Sequence, residues 1–353
     1  MKNSKTYFFL RRLKIKTFSW EYWPMWLVYL PVSLYYLYLA SKARSFFFFS
    51  AANPSIETGG MFFESKKKIF ELIPQKYFPK TLFFNESLET EEILSKINKA
   101  EISFPVIAKP DRGERGWCVQ KINNPEELIQ YRNTTKIDFL IQQYIDYPME
   151  FSVFYYRNPN DANGTITSLT YKKLLTVVGD GKSTIEELIR KNDRAFLQFH
   201  KLKSNPKINF KEVLLTNEEK VLVPYGNHVL GAEFKNFNQL IDQQLISVFD
   251  TISKSIKGFY YGRFDLRTTS IEDLKAGKNI SILELNGAGA EPAHIYDPEF
   301  SFFAAQKVLA AHYKMMFDAA EANKQKGDAF MTYASFKETR NLEKAYKLKT
   351  LLA

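Results

Sequence analysis

Apolar and polar positions alternate at period two along Tyr261-Gly-Arg-Phe-Asp-Leu-Arg267 and again along Ile282-Leu-Glu-Leu-Asn286. This is the pattern of short, half-buried strands. Arg263, Asp265 and Arg267 fall on one face of the first strand. Glu284 and Asn286 share a face of the second, while Ile282, Leu283 and Leu285 supply apolar contacts. The stretch 268–279 suits a hairpin linker. Pairing the strands would gather Asp265, Glu284 and Asn286, with Arg263 alongside. Three hard oxygen donors in one place make a Mg²⁺ site of the kind that grips nucleotide phosphates. On these residues alone, a surface hairpin of solvated side chains is the alternative.

The same patterning lays out the rest of the chain. Glu64 to Leu72 reads as a helix stopped by Pro74, and Pro79 to Phe84 as a strand. Ser87 is the expected cap of a helix running to about Lys99. Phe104 to Lys109 is a dense apolar run that suits a buried strand, followed by a loop and a strand near Trp117 to Ile122. Asn124, Pro125 and Glu127 have the spacing of a helix start. Strands follow at 139–144, 150–156 and 166–175, and Ser183 is the expected cap of the helix 184–191. The polar stretch 192–220 has no clear period. A long helix over 239–256 precedes the two opening strands, and helices near 299–323 and 334–348 close the chain.

Tyr22 to Ser41 is twenty residues without a charge, rich in Trp and Tyr. Its length nearly spans a bilayer. Pro24 and Pro31 interrupt it, its aromatics are spread throughout, and both flanks are basic. Those features favour a broken helix lying on, or dipping into, the cytoplasmic leaflet, against an aromatic helix packed on the protein's own core. Composition sharpens this reading. The formal charge is +10 over 353 residues, and residues 1–50, with eight Lys/Arg against Glu21 alone, carry +7 of it. A basic aromatic tail points to a membrane surface and away from a nucleic-acid binder. One cysteine, Cys118, excludes an intrachain disulfide, and four His leave little room for zinc.

Other stretches carry candidate chemistry. Lys109 ends a buried strand and is followed by Asp111-Arg112-Gly113-Glu114-Arg115-Gly116. Glycines let backbone N–H groups approach phosphate, and Lys109 adds a point charge. Gln142, Gln143, Tyr144 and Ile145 connect to Glu150, and Ile107, Tyr144 and Leu283 offer an apolar slot for a purine. Lys172 and Lys173 follow on the next strand, where alternation lets only one face the site.

Taken in order, these parts resemble the ATP-grasp superfamily, particularly its D-alanine–D-alanine-ligase-like and cyanophycin-synthetase-like carboxylate–amine ligases. The resemblance runs over residues 64–298 and rests on Pro-Val-Ile-Ala-Lys109-Pro, Gln142…Glu150, Tyr-Lys172-Lys173, Gly262-Arg-Phe-Asp265 and Glu284-Leu-Asn286. Val177 to Ile189 and Gly226 to Gly231 look like the cyanophycin-synthetase side. The resemblance implies an α+β, ATP-grasp fold of two lobes gripping ATP. It also implies Lys109 and one of Lys172/Lys173 on phosphates, with Gln142, Gln143, Tyr144, Ile145, Glu150 and Leu283 around adenine and ribose. Arg112, Gly113, Arg115 and Gly116 would form the phosphate loop, and Asp265, Glu284 and Asn286 would hold Mg²⁺ (or Mn²⁺). Arg263 would stabilise the oxyanion as an amine attacks an acylphosphate, helped by the 287–292 loop, with Gly289 and His294 meeting substrate. Small-molecule carboxylate and amine substrates and no nucleic acid are expected. The implied divisions are 1–50 membrane-associated, 51–100 a reduced pre-grasp region, 101–180 the small lobe, 181–320 the large lobe and 321–353 a C-terminal helix. The domain that ordinarily precedes the grasp is not recognisable. Arg112 and Arg115 stand where serines are usual, which suits an acidic or phosphorylated substrate. A kinase-type phosphotransferase and a non-catalytic nucleotide-binding membrane scaffold are the alternative functions.

Overall fold

The computed structural model describes residues 5–113 and 116–351. The chain opens with helices α1 (Lys5–Phe18) and α2 (Met25–Ala43), joined by a 3₁₀ turn at Trp20–Tyr22. Among the described residues no helix is long and apolar enough to cross a membrane. One face of α2 buries Val28, Val32, Leu39, Ala40 and Ala43 in the protein's own core. Its other face leaves Trp26 69% and Leu34 70% exposed. Alpha-helical spacing with two apolar faces explains why a hydropathy pattern alone reads as bilayer-length.

Helix α3 (Lys66–Leu72) is capped by Ser65, whose hydroxyl accepts from the Lys68 N–H. The small lobe follows: β1 (Thr81–Phe84), α4 (Thr90–Lys99), β2 (Val106–Pro110), β3 (Gln120–Ile122), α5 (Pro125–Thr134) and β4 (Phe139–Gln143). These strands form an antiparallel sheet in the order β1-β4-β2-β3. Ile93 and Ile97 of α4 and Leu128 and Tyr131 of α5 pack on Val106, Ala108 and Ile141. Asn124 caps α5 and Pro125 takes its first turn, as their spacing predicts. Ser87 caps nothing. Its hydroxyl is turned to Asn85, and α4 starts three residues later.

The large sheet takes β5 (Met149–Tyr156) and β6 (Thr165–Lys173), both of which the sequence reading puts in the small lobe. It runs β11-β10-β5-β6-β9 with antiparallel neighbours. Between β6 and its edge partner the chain builds a satellite. This has a ribbon of β7 (Leu175–Val178) and β8 (Glu219–Val223), with α6 (Ile185–Lys191), α7 (Asp193–Leu197) and α8 (Phe199–Lys203) against it. Thr184, not Ser183, caps α6 through a reciprocal box with Glu187. The sheet is completed by β9 (Glu233–Asn236), α9 (Gln243–Lys254), β10 (Tyr261–Thr268), α10 (Ile271–Ala276) and β11 (Ser281–Asn286). The expected hairpin linker is thus a short helix capped by Ser270. Leu245, Phe249 and Ile252 of α9 cover Phe151, Val153, Phe264 and Ile282. Two helices close the chain: α11 (Phe302–Gln325), against α2 and Phe48, and α12 (Tyr333–Leu351), against the small-lobe loop.

Candidate functional site

A cavity of about 960 Å³ lies where the two lobes and the N-terminal segment meet, and it is lined from all three. That is near the upper end of ordinary ligand pockets, roughly 300–1,000 Å³.

Strand pairing sets one wall. Asp265 on β10 sits opposite Glu284 on β11, and Arg263 opposite Asn286. The register slips by one residue between Asp265 and Leu266, leaving Leu283 as the extra residue of β11. This bulge lets Ile282 join the core while Glu284, two residues on, faces the cavity. Strict alternation would put both on one face. It also turns the Leu283 carbonyl to the Lys109 ammonium, 3.0 Å away.

Asp265 is the most heavily engaged side chain. It accepts from Arg263 Nε (2.9 Å) and Nη2 (3.0 Å) and from Ser152 Oγ (2.5 Å), and lies 3.4 Å from Lys172 Nζ. Burial opposes its ionisation, but Arg263 and Lys172 outweigh that and hold the carboxyl well below the usual range. Lys172 also reaches Glu150 at 3.3 Å, and Arg267 meets the other Glu150 oxygen at the same distance. Lys173 faces solvent, so alternation selects Lys172 as expected. Gly226 approaches so closely that a Cβ there would sit 2.2 Å from Glu150 Oε1.

From the small lobe, Lys109 Nζ bonds Gln142 Oε1 at 3.1 Å. Burial pushes its ammonium down to about 8, with Glu284 opposing and Lys66 adding to the shift. Gln142, Gln143, Tyr144, Ile145, Gly113 and Gly116 line the cavity with it. The Ile145 carbonyl is taken by Arg267 Nη1 at 2.9 Å. Lys66, which sequence reasoning passed over, donates to the Gly113 carbonyl at 2.7 Å and lies 3.9 Å from Glu284. Nothing in its local pattern marks it, because its role comes from where α3 docks. Around the whole cavity Arg12, Lys16, Lys66, Lys109, Lys172, Lys201, Arg263 and Arg267 outnumber Glu21, Glu64, Glu150, Asp265, Glu284 and Glu291, a small excess of positive charge that suits a triphosphate.

Other expected residues lie elsewhere or are already committed. Arg112 turns away from the cavity, paired with Glu57 at 2.9 Å and stacked on Phe63. Its expected role on phosphate is not what the geometry offers. Arg115 falls outside the described residues. His294 is buried behind the wall, with Nδ1 2.7 Å from Ser168 Oγ, and burial pushes its imidazole down to about 4. It does not meet the cavity. Gly289 does, but the N–H groups of Ala288, Gly289 and Ala290 are spent. Ala288 donates to Gly59 O, Gly289 to Gly60 O and Ala290 to Gly287 O, at 2.8–2.9 Å. The loop therefore has no donor at these three positions for an oxyanion. Arg263 retains two of its five N–H groups after its bonds to Asp265 and to the Glu291 carbonyl (3.1 Å).

Among the described residues no three His, Cys, Asp or Glu side chains converge as a metal site. The donor set is two carboxylates and one amide, with Asn286 Nδ2 3.4 Å from Asp265 Oδ2. These are hard oxygen donors facing one cavity, which fits Mg²⁺.

Comparison with known proteins places a RimK-like ATP-grasp domain over residues 65–153, from α3 through most of β5. No curated protein matches the chain. Among solved structures, the chain is similar to the bifunctional glutathione synthetase from Pasteurella multocida at 14% identity, covering 70% of this chain and 36% of that one, TM-score 0.39. It is similar to the VanG D-Ala:D-Ser ligase from Enterococcus faecalis at 14% identity (72% and 62%, TM-score 0.39). The D-alanine–D-alanine ligase from Bacillus anthracis gives 15% identity (76% and 70%, TM-score 0.41). The chain thus spans little more than a third of the first of these proteins and under two thirds of the second. Over residues 65–153 the family match supports the mixed α+β ATP-grasp fold expected from the sequence.

Proposed function

We propose that the chain is an ATP- and Mg²⁺-dependent carboxylate–amine ligase acting through an acylphosphate. The observation that carries this reading is the convergence on one cavity of Lys109 from the small lobe with Lys172, Arg263, Asp265, Glu284 and Asn286 from the large sheet. Lys109 and Lys172 hold phosphate oxygens as point charges. Glu150, fixed between Arg267 and Lys172, faces the ribose, and Ile107, Tyr144 and Leu283 flank the base. Asp265, Glu284 and Asn286 would hold Mg²⁺, which supplies charge neutralisation on the phosphoryl group in transfer. When a nucleotide draws Lys172 toward its phosphates, Asp265 keeps Arg263 oriented. The two free N–H groups of Arg263 stabilise the oxyanion that forms as the amine attacks.

The test is the full-length protein with ATP, Mg²⁺ and pooled carboxylates and amines. ADP with equimolar phosphate and amide supports the ligase. ADP with a phosphorylated product and no free phosphate indicates a phosphotransferase instead, and ATP binding without turnover indicates a scaffold. We also propose that the protein works at the cytoplasmic membrane face. The basis is the apolar row that α1 and α2 leave exposed, including Phe9, Leu13, Phe18 (81% exposed), Trp26, Leu30 and Leu34, beside the basic residues of α1.

A further inference from the structure

Glu291 is a carboxylate of the cavity lining to which the ligase reading above gives no role. It lines the cavity next to Arg263, which donates to its backbone carbonyl at 3.1 Å. Its carboxylate forms no ion pair with Lys or Arg among the described residues. Instead it is gripped by two hydroxyls, Tyr29 of α2 on one oxygen and Tyr296 on the other at 2.7 Å. Burial first, and then the Glu291 charge, push both phenols far up, so they stay protonated donors. A carboxylate has about four lone-pair sites, so two remain for a ligand.

The walls around it are aromatic. Tyr22, Trp23, Phe234 and Tyr296 line the same cavity. Tyr22 stacks on His228, which tilts against Phe234 and Tyr296. A nearby acid, Glu21, is neutralised by Arg194 at 2.6 Å and reached by His228 at 2.9 Å, so it fixes the N-terminal turn in place rather than offering charge. A carboxylate whose hydrogen bonds come from hydroxyls alone, with Arg263 acting on it only through space and ring faces around it, recognises a cation: the ammonium pairs with the acid and lies on the rings.

We propose that Glu291 binds the acceptor substrate, a primary amine presented as its ammonium ion, and takes its first proton. Tyr29 and Tyr296 act as positioning residues, and Tyr22 with Trp23 forms the wall that selects the amine's side chain. The assignment rests on the ligase reading above. The step balances. R–NH₃⁺ gives one proton to Glu291, the freed lone pair forms the C–N bond at the acyl carbon, and the C–O bond to phosphate breaks. The second proton leaves the nitrogen with the departing phosphate, and Glu291 returns its own to solvent. The N-terminal segment is therefore part of the acceptor site.

The full-length protein is assayed with Mg-ATP and a panel of amino acids and dicarboxylates, each with two nucleophiles at about pH 8. One is hydroxylamine, which is already unprotonated there and traps the acyl group as hydroxamate. The other is a panel of primary ammonium compounds, read as amide. In Glu291→Gln, amide formation falls about a hundredfold, within the range for a lost general base, while the hydroxamate yield falls far less and ATP affinity shifts under about threefold. Glu291→Asp restores part of the amide rate, and Tyr29→Phe raises the amine KM without a matching fall in kcat. Equal loss of hydroxamate and amide in Glu291→Gln, or no loss of either, overturns the acceptor assignment. Absence of hydroxamate and amide in the unchanged protein overturns the ligase reading, and this assignment with it.

Discussion

With burial pushing the Lys109 ammonium down to about 8, the charge that meets phosphate is lost within an accessible pH range. The sign follows from linkage. The empty site releases the proton above about pH 8, whereas a bound phosphate requires it, so nucleotide binding takes up a proton there. ATP affinity is expected to weaken by at most about tenfold per pH unit above 8. Calorimetry in buffers of different ionisation heat would show the uptake, and Lys109→Met should abolish it and weaken ATP about 10- to 100-fold. Asp265 carries the opposite consequence. Its carboxyl is held below the usual range by Arg263 and Lys172, so its contribution to stability is present at neutral pH and disappears only in strong acid. Asp265→Asn leaves the buried Lys172 and the partly buried Arg263 short of a partner and should cost about 3–5 kcal/mol of unfolding free energy, read by denaturant titration. At this scale the sequence is a good guide to which residues line the cavity where chemistry and period agree, as for Lys109, Asp265, Glu284 and Asn286. It fails for Lys66 and Glu291, each one charge among many until docking places it. His294, expected to meet substrate, is instead buried against Ser168.

Among the elements, the 287–290 loop and the Gly59–Gly60 turn act as one. The turn's carbonyls take the N–H groups of Ala288 and Gly289, and Gly60, at φ +76°, lies against Gly287. A Cβ on Gly60 would stand 2.6 Å from Gly287 Cα. Gly60→Ala should therefore displace the loop that carries Glu291 and cost about 1–3 kcal/mol, with a larger effect on the amine KM than on the ATP KM. Gly226→Ala is the complementary case. Its Cβ would press Glu150 out of place, so the ATP KM should rise while the amine KM stays. The strand pair itself was legible from its period. Its bulge was not, because an extra residue on β11 is decided by which side chain the α9-covered core accepts, and Ile282 fits there better than Glu284 does.

For the whole molecule, the N-terminal segment decides how membrane contact can be tested. A chain beginning at Ser50 would lack α2 and so uncover the core that Val28, Val32 and Leu39 fill. Burying each is worth about 1.5–3 kcal/mol. Together they rival the 5–15 kcal/mol by which domains are stable, so the truncated chain is expected to aggregate whatever its membrane affinity. Serine replacements at Phe9, Phe18 and Leu34 touch exposed side chains only. They should change stability by under about 0.5 kcal/mol each, yet shift the protein from the vesicle pellet to the supernatant in sedimentation with anionic liposomes. Co-sedimentation unchanged from the parent would dismiss membrane contact through this face.

The sequence by itself determined several of the strands and which polar side chains they present. Alternation, the Asn124–Pro125 helix start and a Lys at a strand end are local properties, and local properties are written in neighbouring residues. That is why β2, β4, β10 and β11 and their polar faces could be read directly. Tertiary structure decided which residues share a cavity. It moved β5 and β6 into the large sheet, turned Arg112 onto Glu57 and folded α2 over α11. It also brought Tyr29 across 262 positions of chain to Glu291. Such pairings depend on how buried faces fit together, and no window along the chain contains both partners.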